Sequence, residues 1–540
     1  MENARRPKLF SARRTVSSGA TAALLFVALL IATISLGQSA ITANARIPQD
    51  SISARTSVLK IIREHYFQEV IPDTTVSIDS MVSRLDPFSS YVTKSECDEM
   101  LLDLNDGERI FGIGLQSMGK SVVISYVTLR SSADRAGLLP GDIVNSINDV
   151  VLGGHDSIGN AMLMDRATVD LFISRPYMDS NWHSFVNKVT CDESSVPVCG
   201  MVDSQVGYVK VTGFHLGTSG KLQRAIEKLL RHGMQSLVLD LRDNRGGYVT
   251  ECISAANLFV HSDKQSVASH SRIALQACQY NLDRTAAYPV LPLVVLVNNW
   301  TCSAADMFTG ILQDLDRAIV VGQPTWGKSL VMQFFTLPNA DRLYLTTAYY
   351  TLPSGRSVQR PYTNGVLIGG ETRLFGSCDN QRHLFDSDIA EGDCPAFQTA
   401  SGRSLRGLCG IVPDYFVSQE TYDPEGATDA IHVAAARYLR ANADWLLSTT
   451  LDSFTRFCNM PEKLVESALD GVRSYDTTKA KHSSLEMACV APTIIKAYVA
   501  WSIWGDYGFF KLWEKNSATV RRAAELLRSK SAPIALLKSE

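Results

Sequence analysis

An apolar run, Leu291-Pro-Leu-Val-Val-Leu-Val297, breaks off at Asn298-Asn-Trp-Thr-Cys302 and gives way to Ala304-Ala-Asp-Met-Phe-Thr-Gly-Ile-Leu-Gln313. The first segment reads as a strand and the last as a helix, so Ser303 falls at a strand-to-helix turn. Backbone N–H groups at a helix start have no intrahelical partner and point at whatever the side chain touches. A serine there has two readings. One is an N-cap, its ordinary use; the other is a hydroxyl presented for chemistry. Lys328 lies further on, in Thr325-Trp-Gly-Lys-Ser329, after the strand-like Ala318-Ile-Val-Val321. A hydroxyl needs a base to become a nucleophile at neutral pH. A lysine can supply it when burial lowers its pKa from about 10.4 toward neutrality. The pair points to acyl transfer without histidine.

The surrounding blocks are specific in order and spacing. They are Leu239-Asp-Leu-Arg-Asp-Asn-Arg-Gly-Gly247, Pro292-Leu-Val-Val-Leu-Val-Asn298, Ser303-Ala304, Ala305-Asp306, Gln313-Asp314, Arg317-Ala318, Val321-Gly322, Gly327-Lys328, Leu345-Thr-Thr-Ala348 and Tyr350-Thr-Leu-Pro-Ser-Gly-Arg356. Residues 236–360 closely resemble the carboxyl-terminal processing (tail-specific) serine proteases, the S41 peptidases, and the likeness extends from about Val58 to about Leu527. The resemblance implies that Ser303 is the nucleophile and Lys328 its general base. It implies oxyanion donors at the amide of Ala304 and at one of Gly246 or Gly247. Glycine suits that place, because a backbone without Cβ can approach a carbonyl closely and adopt unusual φ.

One position departs from the family. A glutamine usually stands four residues after the lysine and orients the ammonium, but here that position is Met332, with Gln333 one later. A one-residue offset in a strand turns a side chain to the other face. Either a bulge returns Gln333 to the site or Met332 occupies it. Arg245 also stands where a proline commonly precedes the glycine pair.

The same stretch carries a rival motif. Gly322-Gln-Pro-Thr-Trp-Gly327-Lys328-Ser329 matches the P-loop pattern. A P-loop must open a helix whose N-terminus holds phosphate. After Ser329 the chain runs instead through Leu330-Val-Met-Gln-Phe-Phe-Thr-Leu-Pro338 and then Leu343-Tyr-Leu-Thr-Thr-Ala-Tyr-Tyr350, which reads as a β-hairpin. This context argues against nucleotide binding.

Length allows several domains, since the chain has 540 residues. A net charge of −3 gives no nucleic-acid footprint. The 11 cysteines and 10 histidines are dispersed, without C-x-x-C or H-E-x-x-H, so neither metal nor cofactor is expected. Cys302 beside Ser303 reads as a small buried neighbour, not a nucleophile. Cys378, Cys394 and Cys409 share one irregular stretch, where a disulfide fits an oxidising compartment but the pairing stays open. Arg5, Arg6, Lys8, Arg13 and Arg14 precede the apolar stretch Ala20 to Leu36, which fits either a secretory signal or a signal anchor. The positive-inside rule then puts the bulk of the chain across the membrane, in the bacterial periplasm or anchored facing it.

Within residues 108–178 the order of Phe111-Gly-Ile-Gly-Leu115, Val122-Val-Ile-Ser-Tyr-Val127, Ala133-Asp-Arg-Ala-Gly-Leu-Leu-Pro-Gly-Asp142, Ile143-Val-Asn-Ser-Ile-Asn148 and Thr168-Val-Asp-Leu-Phe-Ile173 resembles a PDZ domain. There Phe111, Gly112, Ile113, Gly114 and Leu115 would aim successive N–H groups at a substrate's C-terminal carboxylate. The expected organisation is a multidomain α/β protein. It comprises a signal or anchor (1–46), an N-terminal helical region (47–107), the PDZ domain (108–178), a ClpP/crotonase-like peptidase core (179–427) and a C-terminal helical region (428–540). Its expected partners are proteins or peptides with free C-termini, the membrane if the leader is uncleaved, and a second copy of the chain. The rival class is a weakly catalytic, membrane-tethered PDZ scaffold, which the Met332 anomaly keeps in view.

Overall fold

A computed structural model describes residues 54–94, 112–118, 121–127, 131–139, 142–152, 168–175, 181–187, 195–261, 266–283, 285–363, 365–367, 382–383, 394–399, 401–418, 427–475 and 483–529. The basic and apolar leader, Phe111 and Cys378 lie outside these residues. Among the described residues no helix is long and apolar enough to cross a membrane.

Ser236–Asp240 and Leu293–Val297 are buried at every position, which marks strands covered on both faces. They pair in parallel with each other, and the sheet continues in parallel through Val206–Lys210 on one side and Ile319–Gly322 and Tyr415–Phe416 on the other. Val198–Met201 and Arg382–His383 close the two edges antiparallel. Period-two alternation sends Leu237, Leu239, Leu293, Val295 and Val297 to one face, against Leu222 and Ile226 of helix Thr218–Arg231 and Met307, Phe308 and Ile311 of helix Ala304–Asp314. Val238, Val294, Leu296, Ile319 and Val321 face the other way, against Val520, Ala523, Ala524 and Leu526 of helix Ala518–Arg528. The last helix of the C-terminal helical region thus packs on the parallel sheet. Beneath the sheet, Tyr208 stacks on Phe510 at 4.4 Å and donates to Asp240 at 2.6 Å. Arg242 bridges Asp240 to Glu514, which Lys210 also approaches.

A second, antiparallel sheet stands beside the first. Its long strand Arg342–Thr351 pairs with Ser90–Val92, Ser266–His270 and Leu330–Thr336. The hairpin expected after Lys328 is therefore present, and the N-terminal helix Ala54–His65 packs Val58 and Ile62 into a core shared with Leu330, Leu343 and Leu345. A third sheet is wholly antiparallel and has its own core of Val122, Ile124, Val144, Ile147, Leu171 and Ile173. It runs on through Asn181–Asn187, paired along its length with Thr168–Ser174. A boundary at residue 178 would cut this sheet, so the module extends to residue 187. Cys394 and Cys409 are both buried, and the Cys394 thiol together with burial pushes the Cys409 thiol above its ordinary value.

Leu296→Ala removes a side chain packed between the sheet and helix Ala518–Arg528. It is expected to cost about 2–5 kcal/mol, read as a lower urea midpoint at unchanged slope. Val151→Ala, at a residue 77% exposed, should stay within about 0.5 kcal/mol of the parent.

Candidate active site

Three loops meet where the parallel strands end. The first, after Ser236–Asp240, carries the glycine pair. Buried Asn244 organises it: its side chain donates to Val211 O (2.9 Å) and accepts from Gly246 N (2.8 Å), while its carbonyl accepts from Cys302 N (2.9 Å). Gly246 has φ +99, and a Cβ there would sit 2.8 Å from both Ala304 N and Ser303 Cβ. Gly247 has φ +136, and a Cβ would meet Phe214 O at 2.4 Å. Both contacts demand glycine. Gly246 spends its N–H on Asn244, which leaves Gly247 as the member of the pair whose amide is not bonded to Asn244.

The second loop delivers Ser303 at φ 60 and ψ −117, a conformation rare for a residue with Cβ and costing roughly 1–3 kcal/mol. It persists because neighbours hold both sides of the residue. Ser303 N donates to Asp306 Oδ2 (2.8 Å), and Tyr350 Oη reaches Ser303 O at 3.0 Å. The third loop brings Lys328. Its N–H donates to the same Asp306 Oδ2 (3.0 Å), and its carbonyl lies 3.0 Å from the same Tyr350 hydroxyl. Asp306 Oδ1 accepts from the Thr325 hydroxyl and from Gly327 N, and Thr325 in turn accepts from Ile411 N at 2.7 Å. One carboxylate and one phenol therefore clamp the backbones of Ser303 and Lys328 together. The Gly327 and Lys328 amides, which a P-loop would offer to phosphate, are spent on Asp306, and they lead into a strand.

Burial raises the Asp306 pKa to about 6, against the lowering effect of the Thr325 hydroxyl and the amides of Lys328, Ser303 and Gly327. Burial also pushes Lys328 below its ordinary value, opposed by Cys302, Asp86 and Asp306. The Lys328 ammonium lies over the Phe88 ring at 4.6 Å. Phe88 is placed by a turn built on buried Asp86, which accepts from Phe88 N and Ser89 N (both 2.9 Å) and from the Thr346 hydroxyl (3.0 Å). The Cys302 thiol is pushed up to about 12, by burial first and Asp306 next, so it stays protonated at neutral pH.

Gln333 stands exposed opposite Leu345, and Met332 packs with Val92 and Tyr344. The register does shift beside Met332, yet the extra residue is Thr347 on the facing strand. The bulge therefore leaves the alternation of Leu330–Thr336 intact and Gln333 turned outward. In the antiparallel module, Gly112 has φ +77 and packs so tightly that a Cβ would lie 2.1 Å from Ser131 Cβ. Ile113, Gly114 and Leu115 begin its end strand, with a register shift between Gly114 and Leu115. Sequence pattern alone gave no part in the site to Asp306, Tyr350, Asp86 or Phe88. Asp306 carried a visible signal, since Ser303-x-x-Asp306 has the spacing of a capping box.

Residues 205–366 match the model of peptidase family S41. This stretch of the chain is similar to the S41 peptidases. The protein named "Probable CtpA-like serine protease" of Staphylococcus aureus strain COL is 26% identical over 357 residues, spanning 62% of this chain and 70% of the relative. Its namesake in Staphylococcus saprophyticus is 26% identical over 319 residues, spanning 57% and 64%. Among solved structures, the photosystem II D1 C-terminal processing protease covers 71% of the chain and 97% of its own length, at 18% identity and TM-score 0.39.

The Asp306 shift makes stability pH-dependent. Its pKa is about 6 in the folded protein and near 3.8 unfolded, so the folded form binds the proton more tightly. The resulting stabilisation is complete below pH about 4 and is lost as pH rises through about 6, by roughly 3 kcal/mol. Asp306→Asn removes the titration. The unfolding free energy of the parent relative to Asp306→Asn should fall across that window and be flat above it.

Proposed function

We propose that this serine peptidase cuts proteins with a Ser303–Lys328 dyad and engages their C-termini through the antiparallel module. The clamp of Asp306 and Tyr350 on the backbones of both residues carries this reading. Lys328, lowered by burial and backed by a ring instead of a carboxylate, takes the proton from Ser303 Oγ as that oxygen attacks the scissile carbonyl. The N–H groups of Ala304 and Gly247 receive the oxyanion. Lys328 then returns the proton to the leaving amine, and water repeats the sequence to free the acyl-enzyme. Gln333 has no step in this scheme.

The PDZ assignment to residues 108–187 is supported by the sharp turn at Gly112 and by the position of Ile113–Met118 at the end of its sheet. A peptide can add there as a further strand, its terminal carboxylate meeting the turn amides. The basic and apolar leader places this activity at the cell envelope, with the core outside the cytoplasm.

Ser303→Ala and Lys328→Ala should each abolish hydrolysis of an unfolded protein substrate, and the double variant should be little worse than either. A fluorophosphonate should label the parent and not Ser303→Ala. Full hydrolysis by Ser303→Ala would remove the dyad from this site.

A substrate ending in a free carboxylate should be cut at least about tenfold faster than its C-terminally amidated twin, the scale of a hydrogen bond to a charged group. Gly114→Pro removes an N–H and fixes φ, and should erase the difference. Equal cleavage of acid and amide by the parent would deny carboxylate recognition.

A further inference from the structure

Each loop that builds the site also contributes one large side chain to a stack outside it. Arg245 immediately precedes Gly246, Trp300 precedes Ser303 on its turn, and Trp326 precedes Lys328 on its loop. The Arg245 guanidinium lies 4.4 Å from the Trp300 ring centre, and Trp300 lies 5.9 Å from Trp326 with the rings inclined by 19°. Trp300 thus contacts both a cation and an indole, and is 38% exposed. The backbone of Trp326 is held by its amide N–H, which donates to Thr301 O at 2.8 Å.

Stacking engages the face of the guanidinium and leaves its in-plane N–H fork at the edge, the geometry that matches a carboxylate. Arg245 is exposed, and no acid pairs with it among the described residues. The nearest acid in sequence, Asp243, is turned away: its Oδ1 accepts from Asn298 Nδ2 at 2.8 Å. The positive charge is felt at the site, since Arg245 and Lys328 both oppose the rise of the Cys302 thiol beside Ser303. A scaffold of two tryptophans holding an arginine at the mouth of the site, with its donors unspent, fits recognition better than stability.

The geometry points to Arg245 as a specificity-determining residue that, carried on Trp300 and Trp326, binds an aspartate or glutamate side chain of the substrate close to the scissile bond. This rests on the catalytic reading of Ser303. The guanidinium forms a fork to the carboxylate as the peptide settles between Gly247 and Ser303, and the stack limits the rotamer freedom lost on binding.

Digestion of a proteome-derived peptide library, with cleavage sites read by mass spectrometry, tests it. Aspartate or glutamate should be enriched about tenfold or more at one position within about three residues of the cut, as for a hydrogen bond to a charged group. Arg245→Gln should abolish the enrichment. Arg245→Lys should keep part of it, having the charge without the fork, and Arg245→Glu should replace it with lysine or arginine. Trp300→Ala should weaken it while Ser303 still reacts with a fluorophosphonate. Peptides retained by immobilised Ser303→Ala supply the same comparison without turnover. Failed hydrolysis then counts against the dyad, whereas retention with no acid preference, or one unchanged in Arg245→Gln, overturns the role of Arg245.

Discussion

The site depends on a carboxylate that is fully removed from water. Burying an ionised group costs several kcal/mol unless hydrogen bonds replace its hydration. Asp306 finds those bonds in the amides of Ser303, Gly327 and Lys328 and the hydroxyl of Thr325. The loop around Lys328 is therefore required by the aspartate as much as the aspartate is required by the loop. Either alone would leave orphaned polar groups, and together they set the distance between two segments of the chain. The strain at Ser303 is sustained by the same bonds, because relaxing its φ would withdraw its amide from Asp306.

Tyr350 and Phe88 extend this arrangement into the second sheet. Tyr350 sits on the long strand Arg342–Thr351 and reaches both loops through one hydroxyl. Phe88 is set by a turn whose central acid, Asp86, is bonded to Thr346 on that same strand. The ring over the lysine thus comes from the N-terminal region, and the phenol that holds both loops comes from the second sheet, while the serine and Asp306 belong to the helix that covers the parallel sheet. Packing between the two sheets bears on both reactive groups.

Much of this was legible from local pattern. The continuous apolar runs around Val238 and Val295 announced strands buried on both faces, and the hairpin after Lys328 was marked by its β-branched and aromatic residues. The strand-to-helix turn at Ser303 was equally plain. What escaped was long-range. Nothing near Asp86 in sequence speaks of Thr346, and nothing near Tyr350 speaks of Ser303. The Met332 question turned on Thr347, an extra residue in the opposite strand, which no reading of Leu330–Thr336 alone could reveal. The P-loop pattern teaches the complementary point. Its amides do gather round an anion, but the anion is the protein's own Asp306, supplied from an earlier helix.

The order in which the sheet is covered has a consequence for biogenesis. Val238, Val294, Leu296, Ile319 and Val321 are shielded by a helix at Ala518–Arg528, close to the end of the chain. Until that helix docks, this apolar face of the sheet is uncovered. The loops that carry Ser303 and Lys328 follow strands of the same sheet, so their final setting waits on a segment that lies far from both in sequence.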